Sequence, residues 1–98
     1  MKAYLVADIE ITDPAGYAEY RKTVGASIAA FGGRFLTRGG AAEVVEGNWN
    51  PKRLVIVEFP TMERLRAWYA SPAYAPALAL RKGSAVSNLV MTEGVPEP

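Results

Sequence analysis

Asp8 and Glu58 are the acidic side chains best placed for proton chemistry. Each interrupts an apolar run, Tyr4-Leu5-Val6-Ala7-Asp8-Ile9 and Leu54-Val55-Ile56-Val57-Glu58-Phe59. Alternation with period two puts both on the more polar face of a strand. Two carboxylates in a partly dry cavity are pushed apart in pKa, so that one stays protonated while the other serves as a base. The plainer reading pairs Glu58 with an arginine at the cavity rim, Arg38 or Arg81, in a structural ion pair. Arg38-Gly39-Gly40 sets a guanidinium fork beside unobstructed backbone N–H groups and suits an anion. The commoner meaning of paired glycines is a bulge in an edge strand. Trp68, Tyr69 and Tyr74 cluster with Ser71 around a break between two helical pieces, lining for a planar apolar ligand oriented by a phenol or hydroxyl. At helical spacing the same aromatics also serve as core. Arg81 shares the Tyr74 face if that helix is unbroken, and Tyr4, Tyr17 and Tyr20 read as core or cavity lining.

The composition narrows what these groups can do. The 98 residues are 50% hydrophobic and 21% charged, with 11 basic and 10 acidic side chains, which fits a single folded domain over 1–98. No histidine and no cysteine are present. Thiolate nucleophiles, imidazole bases, Cys/His zinc sites and histidine-ligated haem therefore drop out. Without histidine, Ser71, Ser84 and Ser87 lack their usual base. No clustered oxygen ligands suggest a metal, and no cofactor is expected. The near-neutral charge argues against nucleic acid as a partner. No apolar run approaches the ~20 residues that cross a bilayer, and the start is too short for a secretory signal, so the expected location is cytoplasmic.

The elements that must carry these residues follow from periodicity and punctuation. The opening alternation predicts a strand with Leu5, Ala7, Ile9 and Ile11 on one side and Tyr4, Val6, Asp8 and Glu10 on the other. Asp13-Pro14 suits an N-cap and first helical position, and Tyr17, Tyr20, Val24, Ile28 and Phe31 form one helical stripe that Gly32-Gly33 ends. A second extended stretch runs from Arg34 to about Glu46, broken at Gly39-Gly40, with a hairpin loop at Gly47–Pro51. Arg53–Phe59 is the strongest strand. Thr61 caps a helix with Met62, Leu65 and Tyr69 on a face, and Ser71-Pro72 starts a further piece carrying Tyr74, Leu78 and Arg81, with Pro76 in its first turn or just past it, where it can kink the helix. Gly83-Ser84 interrupts the pattern, Ser87–Glu93 is a last strand, and 95–98 is a frayed tail.

The order β-α-β-β-α-β predicts an α+β, ferredoxin-like fold, a four-stranded antiparallel sheet with helices on one face. The other face then holds Tyr4, Val6, Asp8 and Glu10 beside Leu54, Ile56 and Glu58. It is too apolar for water and too acidic for a core. At ~25 cal/mol per Å², a second copy covering its apolar part contributes several kcal/mol before association costs. A homodimer with facing sheets and a partly polar cavity between them is expected; a solvated sheet is the alternative.

Several stretches in this order and spacing resemble the domain-of-unknown-function 1330 family. They are Asp13-Pro14 with Tyr17 and Tyr20, Gly32-Gly33-Arg34-Phe35-Leu36, Arg38-Gly39-Gly40, Glu46-Gly47, Arg53-Leu54-Val55, Glu58-Phe59-Pro60 and Ala67-Trp68-Tyr69-Ala70-Ser71-Pro72-Ala73-Tyr74. The resemblance covers nearly the whole chain and implies the dimeric α/β-barrel superfamily, in which two ferredoxin-like sheets pair. That superfamily includes cofactor-free monooxygenases, isomerases, haem enzymes and ligand-sensing domains, so the resemblance does not choose an activity. The expected function is binding of a small organic molecule, a carboxylate or an aromatic metabolite. Cofactor-free proton transfer would use Asp8 or Glu58 as base, with Arg38 or a tyrosine stabilising charge. The competing reading is a non-catalytic dimerisation or ligand-sensing module.

Overall fold

The opening alternation forms β1 (Ala3–Ile11), with Ala3, Leu5, Ala7 and Ile9 buried beneath the helices. The computed structural model describes residues 1–96. Chain order continues with α1 (Pro14–Ala30), β2 (Arg34–Arg38), β3 (Leu54–Phe59), α2 (Met62–Tyr69), α3 (Ala75–Ser84) and β4 (Ala85–Glu93). The strands pair antiparallel in the order β2-β3-β1-β4. This is the expected ferredoxin-like fold, with the second helical crossover split into two pieces.

Local chemistry accounts for most boundaries. Asp13 occupies the N-cap of α1 in extended conformation, but its side chain makes no capping bond. The Thr61 hydroxyl does cap α2, accepting from the Arg64 N–H at 3.1 Å. Gly32, at φ 79°, turns the chain out of α1. At Ser71 the hydroxyl accepts the Tyr74 N–H at 3.1 Å and donates to the Trp68 carbonyl at 2.8 Å, so Ser71–Tyr74 is a turn. The expected helix start at Ser71-Pro72 is thus delayed to Ala75, and α3 runs through Gly83-Ser84 directly into β4.

The second extended stretch is shorter than its composition suggests. β2 ends at Arg38 because Gly39 turns to φ 74° while its N–H closes the ladder onto the Leu54 carbonyl at 2.9 Å. Residues 39–53 form one long connection with no regular strand. The ladder irregularity lies between Phe35 and Thr37, not at the paired glycines. Ile11, expected on the helix side, is exposed at the end of β1. Val95 and Pro96 carry no regular structure, and residues 97–98 of the expected tail lie outside the described residues.

The core lies between sheet and helices. Leu5, Val57, Phe59 and Leu65 are buried there with Val24 and Ile28 of α1, and Trp68 and Tyr74 are its largest buried side chains. No helix of the described residues is long and apolar enough to cross a membrane.

Candidate functional site

The register settles which side chains share the uncovered sheet face. Tyr4 stands opposite Glu58 and Thr92, Val6 opposite Ile56 and Val90, and Asp8 opposite Leu54 and Asn88. Arg34 adds to this face from β2, opposite Glu58. The middle is apolar, and the two carboxylates stand at its two ends. Asp8 is four positions along β1 from the partner of Glu58, about 13 Å at ~3.4 Å per residue. At that separation within one chain they are not a closely coupled pair in which one carboxyl stays protonated while the other serves as base.

Each carboxylate is already engaged. Asp8 accepts the Trp49 indole N–H at 2.9 Å and the Lys52 backbone N–H at 2.9 Å. Those bonds, Trp49 first, hold its pKa below the ordinary carboxylate value. Glu58 accepts from Arg34 Nε at 2.9 Å, with Lys2 Nζ at 3.8 Å, and its side chain is 12% exposed. Its pKa is likewise lowered, chiefly by the Arg34 hydrogen bond. The arginine partner of Glu58 is therefore Arg34, neither Arg38 nor Arg81. Trp49 lies over the end of the face and bounds a hollow of about 340 Å³ with Val6, Asp8, Asn88 and Val90.

The other expected ligand residues gather on the opposite, helix side. Trp68 and Tyr74 stack with ring centroids 4.0 Å apart, and Tyr69 closes on both at 6.0 and 5.7 Å. Trp68 donates its indole N–H to Ser27 Oγ at 3.0 Å and packs on Phe59, so Trp68 is core. The Ser71 hydroxyl is spent in its own turn. Arg81 is only 4% exposed, and its one protein acceptor among the described residues is the Tyr74 hydroxyl, 3.4 Å from Nε. No carboxylate of the described residues lies within salt-bridge distance of it. Burial opposes its charge, but the Tyr74 phenol, with Tyr20 and Tyr69 nearby, leaves its pKa raised. Burial pushes the Tyr20 phenol above its ordinary value as well, reinforced by Tyr74. The cluster is a guanidinium among phenols, with Tyr74 buried and Tyr20 and Tyr69 half-buried.

Arg38 also faces the helices, and Gly39 does not form an anion-binding nest with it. The Gly39 N–H is used in the ladder, and a Cβ there would run into the Arg53 guanidinium. Arg53 in turn donates to the Tyr17 hydroxyl at 3.2 Å and to the Arg38 carbonyl at 3.3 Å. Gly39 thus makes room for Arg53. Arg53, Arg34, Trp49 and Lys52 join the site without any local sequence pattern that marks them. Their partners lie across a long connection or a neighbouring strand, which local periodicity does not report.

Residues 2–95 match the family described as Domain of unknown function (DUF1330). The chain belongs to the DUF1330 family. No curated protein matches it. Among solved structures, the RPA0582 protein of unknown function from Rhodopseudomonas palustris superposes with TM-score 0.78 at 16% identity, covering 98% of this chain and 84% of that one. A dimeric ferredoxin-like protein of unknown function from Thermobifida fusca gives TM-score 0.63 at 17% identity, covering 94% and 90%. SnoaB from Streptomyces nogalater, a cofactor-independent oxygenase, gives TM-score 0.65 at 12% identity, covering 98% and 95%. At these identities the likeness shows the shared fold alone.

Proposed function

We propose that this DUF1330 protein is a homodimer, joined through its uncovered sheet faces, in which each copy binds a small aromatic anion at Arg81. The observation that carries the ligand reading is the burial of Arg81 with no carboxylate beside it. Its desolvation is offset by phenols and not by a counter-charge, and an apolar side chain of similar volume would fill the same space without that desolvation cost. An incoming carboxylate or phenolate supplies the missing charge, and Tyr69 and Tyr74 supply flat apolar contact. Entry requires the half-buried ring of Tyr69 or Tyr20 to swing aside.

The dimer reading rests on the middle of the open face, where Val6, Ile56 and Val90 line up across three strands. Val86 and Val90 are 62% and 61% exposed in the single chain, and the Thermobifida fusca neighbour is described as dimeric. A cytoplasmic location is part of the same proposal.

Binding without turnover is favoured over catalysis by one relationship. Asp8 and Glu58 stand on the face of the sheet opposite Arg81, so neither reaches a ligand held there. Acid–base work by either would need a ligand on the open face, beside Trp49, and carboxylates already bonded to donors are weak bases. Cofactor-independent oxygenation, the activity of SnoaB, remains the catalytic alternative for an anion held at Arg81.

The test uses benzoate, 4-hydroxybenzoate and neutral benzamide as probes in ligand-observed NMR. The two anions are expected to show saturable transfer that Arg81→Met abolishes, with benzamide silent. Equal signals from benzamide, or anion binding unchanged in Arg81→Met, would overturn the ligand reading.

A further inference from the structure

The sequence allows Arg38 to hold an anion with the glycines that follow it, yet its guanidinium points to α1. There its Nη2 donates to the Arg21 carbonyl at 3.0 Å, and its plane lies over the Phe35 ring, 4.2 Å from the centroid. Arg21, Lys22 and Ala18 complete a hollow of about 280 Å³ with it. Arg53 stands behind, donating to the Arg38 carbonyl at 3.3 Å. Among the described residues, no carboxylate lies within salt-bridge distance of Arg21, Arg38 or Arg53, and the only ion pair nearby is the exposed Lys22–Glu19 contact at 3.3 Å. Such an exposed pair is worth little. Burial and then the Arg21 charge lower the pKa of Arg38 below its ordinary value. The fold therefore holds like charges together with backbone hydrogen bonds and ring stacking, where carboxylates would ordinarily do so.

We propose that the hollow formed by Arg21, Lys22 and Arg38 is a second anion site, which takes the phosphate group of a small molecule. A carboxylate carries one charge and is satisfied by one guanidinium fork. Arg38, Arg21 and Lys22 all line one hollow, and with Lys22 exchanging its weak exposed contact to Glu19 for the ligand they match a tetrahedral dianion better. Arg38 is fixed in advance by its stack on Phe35 and its bond to α1, so little side-chain entropy is lost on binding. Arg21 and Lys22, both exposed on α1, close on the phosphate from the solvent side. The site uses none of the residues around Arg81 and stands whether or not that cluster binds a ligand.

The test is a titration of the full chain with inorganic phosphate, followed by backbone amide NMR, with sodium acetate and sodium chloride at matched ionic strength. Phosphate is expected to give saturable shifts confined to residues 18–22 and 35–39, at least tenfold tighter than acetate. Arg38→Gln removes a packed side chain and is read together with Arg21→Gln, whose guanidinium is exposed. Each is expected to weaken phosphate at least fivefold while the amide spectrum elsewhere stays that of the folded protein. Phosphate shifts no larger than those of chloride, acetate binding equal to phosphate, shifts centred on residues 74–81, or unchanged affinity in Arg21→Gln would each overturn the proposal.

Discussion

Trp49 and Asp8 lie 41 residues apart in sequence and are joined by a 2.9 Å hydrogen bond from indole N–H to carboxylate Oδ2. With the Lys52 N–H on the other oxygen, this single aspartate ties the 39–53 connection to the open face. A 60% exposed tryptophan is thereby held over the sheet in a defined place. Asp8→Asn keeps shape and removes charge, leaving one acceptor where there were two. The expected result is loss of the Trp49 indole N–H protection from solvent exchange by about tenfold, with Trp68 unaffected. Equal protection in wild type and variant would show that the loop is held by its apolar contacts.

Glu58 gives a prediction with a definite sign. Its folded pKa is below the ordinary carboxylate value because Arg34 and Lys2 stand against it. A depressed pKa means that its contribution is present above the unfolded value, near ~4.3, and lost as pH falls through the folded one. Wild type should therefore melt above Glu58→Gln at neutral pH, with the gap closing as the pH drops below about 4. A gap independent of pH would assign the effect to packing.

The proposed dimer interface is tested at its apolar centre. Val90→Asp places a charge opposite Val6 and beside the line that runs to Ile56. Burying that charge between two sheets costs several kcal/mol, at least ~3, enough to weaken association more than a hundredfold. Sedimentation at micromolar concentration should find wild type as dimer and Val90→Asp as folded monomer. Identical sedimentation of both would place the interface elsewhere.

Much of this architecture was legible because it is written in short-range patterns. Alternation in β1 and β3 reported both faces of the sheet, and the spacing of Tyr17, Val24 and Ile28 reported the buried side of α1. Partners were not legible. Glu58 meets Arg34 only because β2 is bulged past Leu36, and Asp8 meets Trp49 only because the connection folds back across the strand ends. The mixed role of Gly39 is a similar case. Its positive φ is readable as a glycine preference, but the Arg53 guanidinium it admits is not.

Trp68 illustrates the opposite outcome, an aromatic that looks like a ligand contact and is held as core. Its indole bonds Ser27 at 3.0 Å, and both residues are buried. Trp68→Phe should lose that bond and some packing, costing about 2–3 kcal/mol in chemical denaturation. Loss of anion binding without loss of stability would move Trp68 into the site.

The stability of Arg81→Met, without ligand, bears most directly on whether Arg81 is kept for an anion. Removing a buried cation that has one long hydrogen bond and no counter-charge should leave unfolding free energy within about 1 kcal/mol of wild type, or raise it. A loss of about 3 kcal/mol or more would mean that the phenols around Arg81 satisfy it fully, and that it holds the fold together and not a ligand.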